Sequence, residues 1–375
     1  MVKKIAFICV IMAAVTGNTF AAEEPVRVAI ARDVTSTYLM VKGSFEVRDM
    51  DNNRLVYKGR NLKKSLIGLS DNRISFPYLK KGVSGRLQIT PLSGGYVSVN
   101  KRSYRGKINL IALDGRLLVV NELGLEDYLR GVISNEVAHY WPMEALKAQA
   151  IIARTYALYQ KQFTKNKYFD LTSDVYSQVY GGRPAQRWRT NRAVDLTRAK
   201  VLTFQGNLFP TYYHATCAGK TEDSLELWKI DLASLKGVVC GFCADSPHFR
   251  WQAKIDLGQM KDKLVKKGFS IVDISGVEIT RLSASGRVSA LKIQGENAGI
   301  EITAKDFRQA LGPDVIRSLN FTIRVISGIA YIDGLGWGHG VGLCQWGMYK
   351  MARNGYKHAQ ILEYYFPQSK LVARK

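Results

Sequence analysis

The fold turns on residues 121–142, "NELGLEDYLRGVISNEVAHYWP". Before this stretch the chain alternates like strands. From Leu125 the apolar positions change period, and Leu125, Tyr128, Leu129, Val132 and Ile133 share one helical face. Pro142 suits the first turn of a second helix, with Glu144 favourably placed near its N-terminus. Between the two helical runs Glu136 is the single carboxylate among apolar, aromatic and uncharged residues. If Val132, Ile133, Val137 and Trp141 surround it, desolvation favours the neutral acid and fits it to donate a proton near neutral pH. Otherwise it is an exposed glutamate at a helix end.

Upstream, "VRVAIA", "GSFEVRDM", "GRLQITPL", "GYVSVN" and "GKINLIAL" are short alternating runs separated by Gly, Asn and Ser, which predicts a β-rich lobe over residues 22–120. Downstream, "PMEALKAQAIIARTYALYQKQF" predicts a helix to about Phe163. Its stripe of Leu146, Ala150, Ala153 and Ala157 is small enough for close packing. "KIDLGQMKDKLVKKGF" opens a further region with strand-like "VSALKIQG" and "AGIEITA", and "GYKHAQILEYYFP" ends the chain as a short amphipathic helix. The expected architecture is α+β: the β-rich lobe, a mixed core over 121–254 and 333–370, and an inserted α+β subdomain over 255–332.

The first residues, "MVKKIAFICVIMAAVTGNTFAAEEP", have a basic start, an apolar run from Ile5 to Val15, and small residues at −3 and −1 of a cleavage site after Ala21. Residues 1–21 are therefore expected to be a secretory signal peptide. No other apolar run approaches the ~18 residues of a transmembrane helix, so no membrane span is expected after cleavage. The formal charge of +23 on an exported chain argues against nucleic acid as the normal partner. It favours acidic envelope material: wall peptides and glycans, anionic polymers or lipid head groups.

Two further segments carry candidate chemistry. In "DGLGWGHGVGLCQWGM" (333–348), five glycines in the first ten residues alternate with Trp337 and His339, and Gln345 and Trp346 follow. The composition suits either a carbohydrate groove, where backbone approaches a ligand beside aromatic faces, or a tight structural turn around a core histidine. The other segment supplies His214 and Cys217 from "YYHATCAGKTED" with Cys240 and Cys243 from "GVVCGFCADSPHF". Two close pairs of N/S ligands match a closed tetrahedral zinc site of structural type, with His248 able to replace His214. The exported setting makes disulfides the rival, a Cys240–Cys243 bridge with Cys217 free or paired to Cys344. His139 and His358 read as ordinary surface or partly packed residues.

Together, "VNELGLEDYLRGVISNEV", "WPMEALKAQAIIARTYAL", "SDVYSQVYGG", "HATCAGKTEDS" and "GWGHGVGLCQWGMYKMARNGYKHAQILEYYFP" resemble the SpoIID/LytB family, in the family's order; weaker similarity extends from about Val26 to Pro367. The resemblance implies lytic transglycosylase activity on peptidoglycan, in the best-known members on glycan strands stripped of stem peptides. Glu136 matches the family's catalytic acid. Arg154, Gln178, Tyr180, Trp337, His339 and Gln345 become candidates to line a glycan groove, Arg154 either reaching the lactyl group or pairing with a carboxylate. Family members differ in their zinc ligands, so the set His214, Cys217, Cys240 and Cys243 rests on this chain's spacing. Some relatives enhance a cell-wall amidase or belong to sporulation. A wall-binding protein that recruits such an amidase is the rival expectation, and a zinc-dependent amidase or peptidase a third. Periplasm, cell envelope and external medium all fit.

Overall fold

The computed structural model describes residues 24–79, 84–174, 177–295 and 299–374. The expected signal peptide lies outside the described residues. The chain opens with strands β1 (Pro25–Val34), β2 (Ser36–Asp49), β3 (Leu55–Ser70), β4 (Arg73–Ser75), β5 (Arg86–Pro91), β6 (Tyr96–Val99), β7 (Arg102–Tyr104), β8 (Lys107–Leu113) and β9 (Arg116–Gly124). With β10 (Leu171–Thr172) they form one sheet in the order β10-β1-β9-β8-β5-β2-β3-β4, in which β6 pairs with β2 and β7. Alternation is clean where one face meets water, as in β5. It fails in β8, where Ile108, Leu110 and Ile111 are all buried because the central strands are covered on both faces.

At Gly124 the chain enters α1 (Leu125–Arg130), turns at Gly131 and continues as α2 (Ile133–Glu136). The five apolar residues read as one helical face are all buried, across this break. Helix α3 (Met143–Phe163) follows Pro142, which sits at its N-cap. Its burial extends well beyond the small-residue stripe: α1 on one side, α4 (Trp188–Leu196) on another, strand β11 (Lys200–Phe204) and two C-terminal helices enclose it. It is therefore the axis of the main core. Short strands β12 (Asn207–Leu208) and β13 (Tyr213–His214) lead to α5 (Ser224–Trp228).

A second hydrophobic core runs from Trp251 to Ile332. Strand β14 (Arg250–Asp256) and helix α6 (Leu257–Lys266), capped by the Asp256 carboxylate, precede β15 (Gly276–Leu282), β16 (Val288–Gln294), β17 (Ile300–Thr303) and α7 (Ala304–Leu311). Strands β18 (Phe321–Ile326) and β19 (Ile329–Leu335) join β14 in a sheet of order β14-β19-β18, and β15–β17 form another. The chain then returns to the first core through β20 (Leu343–Cys344), α8 (Gln345–Arg353), α9 (His358–Tyr365) and β21 (Lys370–Ala373). The fold is mixed α+β with a β-rich N-terminal region. Among the described residues no helix is long and apolar enough to cross a membrane.

Candidate active site and cysteine cluster

Glu136 closes α2, and the loop over residues 177–185 holds that helix in place. Gly181 N–H donates to Gly131 O at 2.9 Å, Asn135 Nδ2 donates to Val179 O at 3.1 Å, and Ser134 Oγ donates to Ala185 O. The same loop turns Val179 N–H toward Glu136 Oε1 at 2.9 Å, and the Tyr213 hydroxyl donates to the same carboxyl group. Burial pushes the Glu136 carboxyl above its ordinary value of 4.5, and these two donors only partly offset it. Tyr213 remains a donor because burial, and then the Glu136 charge, raise its own pKa well above 10.0.

Gln178 supports the acid from behind. It is buried, accepts from Tyr128 Oη at 3.0 Å, and donates through Nε2 to Tyr213 Oη at 3.3 Å. Gln345, also buried, donates to the backbone carbonyl of Glu136 at 3.3 Å. Both hold the parts around Glu136. The carboxylates near Glu136 in sequence are committed elsewhere. Asp127 pairs with Arg130 at 2.6 Å, Glu144 with Lys147 at 2.7 Å, and Glu126 with Arg154.

One expected groove residue is corrected. Arg154 is 1% exposed, and its Nε and Nη2 bind the two oxygens of Glu126 at 2.8 and 2.6 Å. Further bonds reach Lys200 O and Val194 O, so of the two expected roles the carboxylate pair is realised; α3 is too enclosed for its guanidinium to meet a glycan. Tyr180 is also only 1% exposed, yet it lines the cavity formed by Asn135, Val179 and Arg187. Its hydroxyl donates to Asn121 Oδ1 at 2.7 Å, and its ring packs against Tyr128 in the core.

The glycine-rich segment lies against its own chain. A Cβ on Gly338, whose φ is +109°, would come 2.7 Å from the Cβ of His214. His339 fastens the loop: Nε2 donates to Tyr213 O at 2.9 Å, and Nδ1 accepts from Val341 N–H at 3.1 Å. Burial holds its pKa down, to about 4, so the ring is neutral. Of the two readings of this segment, the close backbone approach thus serves packing around a satisfied histidine. Trp337 is partly exposed, flanked by His248 at 4.7 Å and by the Arg317 guanidinium at 4.7 Å.

Cys217, Cys240, Cys243 and Cys344 are buried and free, with their sulfurs all within 4.8 Å of one another. The expected fourth donor, His214, is not among them. The parallel β13–β20 pair sets His214 beside Cys344. His214 Nδ1 donates to Val341 O at 3.1 Å, while Cys344 Sγ accepts from Cys217 N–H at 3.3 Å and Gly347 N–H at 3.4 Å. The geometry fits a metal: tetrahedral thiolates with bonds of about 2.3 Å place their sulfurs ~3.8 Å apart, and Cys217 and Cys243 lie at 3.6 Å. Packed this closely, the thiols differ in acidity. Burial pushes Cys344 well up, and hydrogen bonding from Cys217 holds Cys243 down. A buried cation, Arg287, stands beside the cluster and donates to Cys217 O at 2.6 Å.

A helix-end acid held by a separate loop, in a mixed fold that continues into a cysteine cluster, can now be set beside known proteins. A family model described as "Stage II sporulation protein" matches residues 113–204, which contain Glu136 and α3. A domain of unknown function matches residues 233–342. The chain is 32% identical over 349 residues to an uncharacterised protein of Brachyspira hyodysenteriae, covering 92% of each. It is 27% identical to the amidase enhancer of Bacillus subtilis over 65% of this chain and 40% of that one. It is also 27% identical to the stage II sporulation protein D of Bacillus amyloliquefaciens, over 66% and 74%. The chain belongs to the SpoIID/LytB family.

The sequence reading missed Tyr213 and the Val179 N–H, both supplied to Glu136 across long separations in the chain. Their only sequence signal was proximity to other motif residues, Tyr213 next to His214 and Val179 next to Gln178.

Proposed function

We propose that this protein is an exported peptidoglycan lytic transglycosylase with Glu136 as its catalytic acid and base. The observation that carries the reading is one carboxyl group, raised in pKa by burial and fixed by Val179 N–H and Tyr213 Oη. An ordinary glycosidase needs two carboxylates flanking the bond, and the carboxylates nearest in sequence are occupied in ion pairs. A transglycosylase needs one. Protonated Glu136 gives its proton to the oxygen leaving C1 of N-acetylmuramic acid, and the C1–O bond breaks. The resulting carboxylate takes the proton from the C6 hydroxyl of the same sugar while O6 bonds to C1, closing a 1,6-anhydro ring and restoring the acid.

The cysteine cluster would hold zinc through Cys217, Cys240, Cys243 and Cys344. Zinc there would crosslink three chain segments, and four thiolates complete its tetrahedral shell, which fits a structural role and disfavours the hydrolytic zinc reading. The name of the amidase-enhancer relative supports a second reading, a wall-binding partner of an N-acetylmuramoyl-L-alanine amidase.

The test is to incubate mature protein with intact and with peptide-stripped peptidoglycan and to analyse the soluble products by mass spectrometry. Anhydro-muramyl ends are expected from wild type and not from Glu136→Gln. No such ends from folded wild type, or undiminished ends from the variant, would overturn the reading and favour the amidase partner.

A further inference from the structure

A groove of about 650 Å³ opens beside Glu136, and its walls come from both the family core and the N-terminal sheet. Asn135, the residue before the acid, and Val179, which binds the acid through its N–H, both line it. From the sheet, the β6–β7 hairpin contributes Arg102, and the loop ahead of α4 contributes Arg187. This junction is tightly built. A Cβ on Gly182, at φ +64°, would lie 2.6 Å from Ser103 O, so the 181–185 loop seats directly on β7. Arg187 Nη1 donates to Pro184 O and Gln186 O, both at 2.9 Å, which fixes its head at the rim.

The charge of the groove is one-sided. No carboxylate lines it, and neither Arg102 nor Arg187 is in an ion pair among the described residues. The acidic groups nearby are neutralised by other cations, Asp127 by Arg130 and Arg105, and Asp195 by Arg130. Two exposed guanidinium heads facing one cavity are a ready match for a carboxylate, which each can engage with charge-assisted hydrogen bonds. The volume suits a sugar ring with a substituent rather than a lone ion.

We infer that this groove is a carboxylate-reading subsite, in which Arg102 and Arg187 bind an acidic substituent of the sugar next to the bond cleaved at Glu136. The inference rests on the glycan-cleaving reading above. On a peptidoglycan strand two groups supply that chemistry: the lactyl carboxylate of N-acetylmuramic acid, which is free only where no peptide is attached, and the carboxylates of the stem peptide. The subsite is supplied in part by a lobe outside the residues matched by the family model, so this chain sets its own substrate preference there.

The test measures binding to the full mature chain carrying Glu136→Gln, so that strands are not consumed. Three probes are compared: peptide-stripped strands, the same strands with carboxylates reduced to alcohols, and peptide-bearing strands. Stripped strands are expected to bind about tenfold more tightly than reduced ones, and Arg102→Gln with Arg187→Gln to erase the difference without shifting the thermal midpoint. Peptide-bearing strands that bind like reduced ones identify the lactyl carboxylate; arginine-dependent tight binding of them identifies the peptide. Equal binding of stripped and reduced strands, or a preference that survives loss of both arginines, overturns the subsite while leaving the glycan-cleaving reading intact. Failure to bind any strand overturns both.

Discussion

Replacing Cys344 by Ser and His214 by Asn separates the cysteine cluster from the histidine-containing site that spacing alone suggests. Structural zinc binds with about 10–16 kcal/mol of apparent free energy, so the loss of one ligand in four costs roughly 3 kcal/mol, or about a hundredfold in affinity. Serine is a controlled change here. Cys344 caps α8 by accepting from Gly347 N–H, and a serine oxygen can accept the same bond, so the helix start persists while the metal loses a thiolate. His214→Asn removes an imidazole bound to Val341 O and leaves all four sulfurs in place. The assay is competition between protein and a chromophoric chelator for zinc, with cobalt substitution reporting sulfur ligation through its charge-transfer band. Cys344→Ser should release metal at about a hundredfold lower chelator concentration and weaken that band, and His214→Asn should change neither. A His214→Asn variant that loses metal as readily as Cys344→Ser would refute the assignment.

Four further outcomes follow from the geometry. Burial raises the Glu136 pKa, so the cleavage rate should fall as pH rises through a value above the ordinary 4.5. Because the charged form is the disfavoured one in the folded state, Glu136→Gln should match wild type in thermal midpoint at acid pH and gain on it as pH rises. Arg154→Met should cost about 3–5 kcal/mol in urea unfolding by removing the guanidinium from the buried pair with Glu126, with glycan affinity of the folded protein unchanged; stable protein with lost affinity would return Arg154 to the groove. The pKa of His339 is depressed from 6.5 to about 4, so its contribution to stability is present above 6.5 and lost as pH falls toward 4. Thermal midpoints of wild type should therefore drop relative to His339→Gln across that window, and parallel curves would contradict a buried neutral ring.

The change of period at Leu125 was legible because the apolar spacing is local, and the helix to Phe163 follows from it. What the spacing could not carry was enclosure. A stripe of small residues on α3 looks like one packed face, yet the helix is buried nearly all round, which turns Arg154 from a groove residue into half of an ion pair. Gln178 shows the same effect: a polar residue in a motif-rich segment is buried behind Glu136, bonded to Tyr128 and Tyr213. His-x-x-Cys spacing suggested a ligand pair, but extended chain at β13 and its parallel partner β20 bring Cys344 to the sulfurs and direct the imidazole to a carbonyl. Such long-range pairing leaves no trace in residue spacing.

Within the proposed mechanism, the surroundings of Glu136 bear on why one carboxyl group suffices. A wholly apolar pocket would hold the acid protonated so firmly that it could not act as a base in the second half of the reaction. A fully solvated carboxyl would be ionised before the first half began. Burial supplies the upward pressure on its pKa, and Val179 N–H with Tyr213 Oη supplies two bonds that strengthen as the carboxylate forms. Because Tyr213 is itself held protonated by burial, it donates to Glu136 in both halves. Tyr213→Phe should therefore slow the step in which Glu136 bears charge more than it weakens glycan binding. A variant with lowered affinity and an unchanged single-turnover rate would assign Tyr213 to the substrate rather than to the acid.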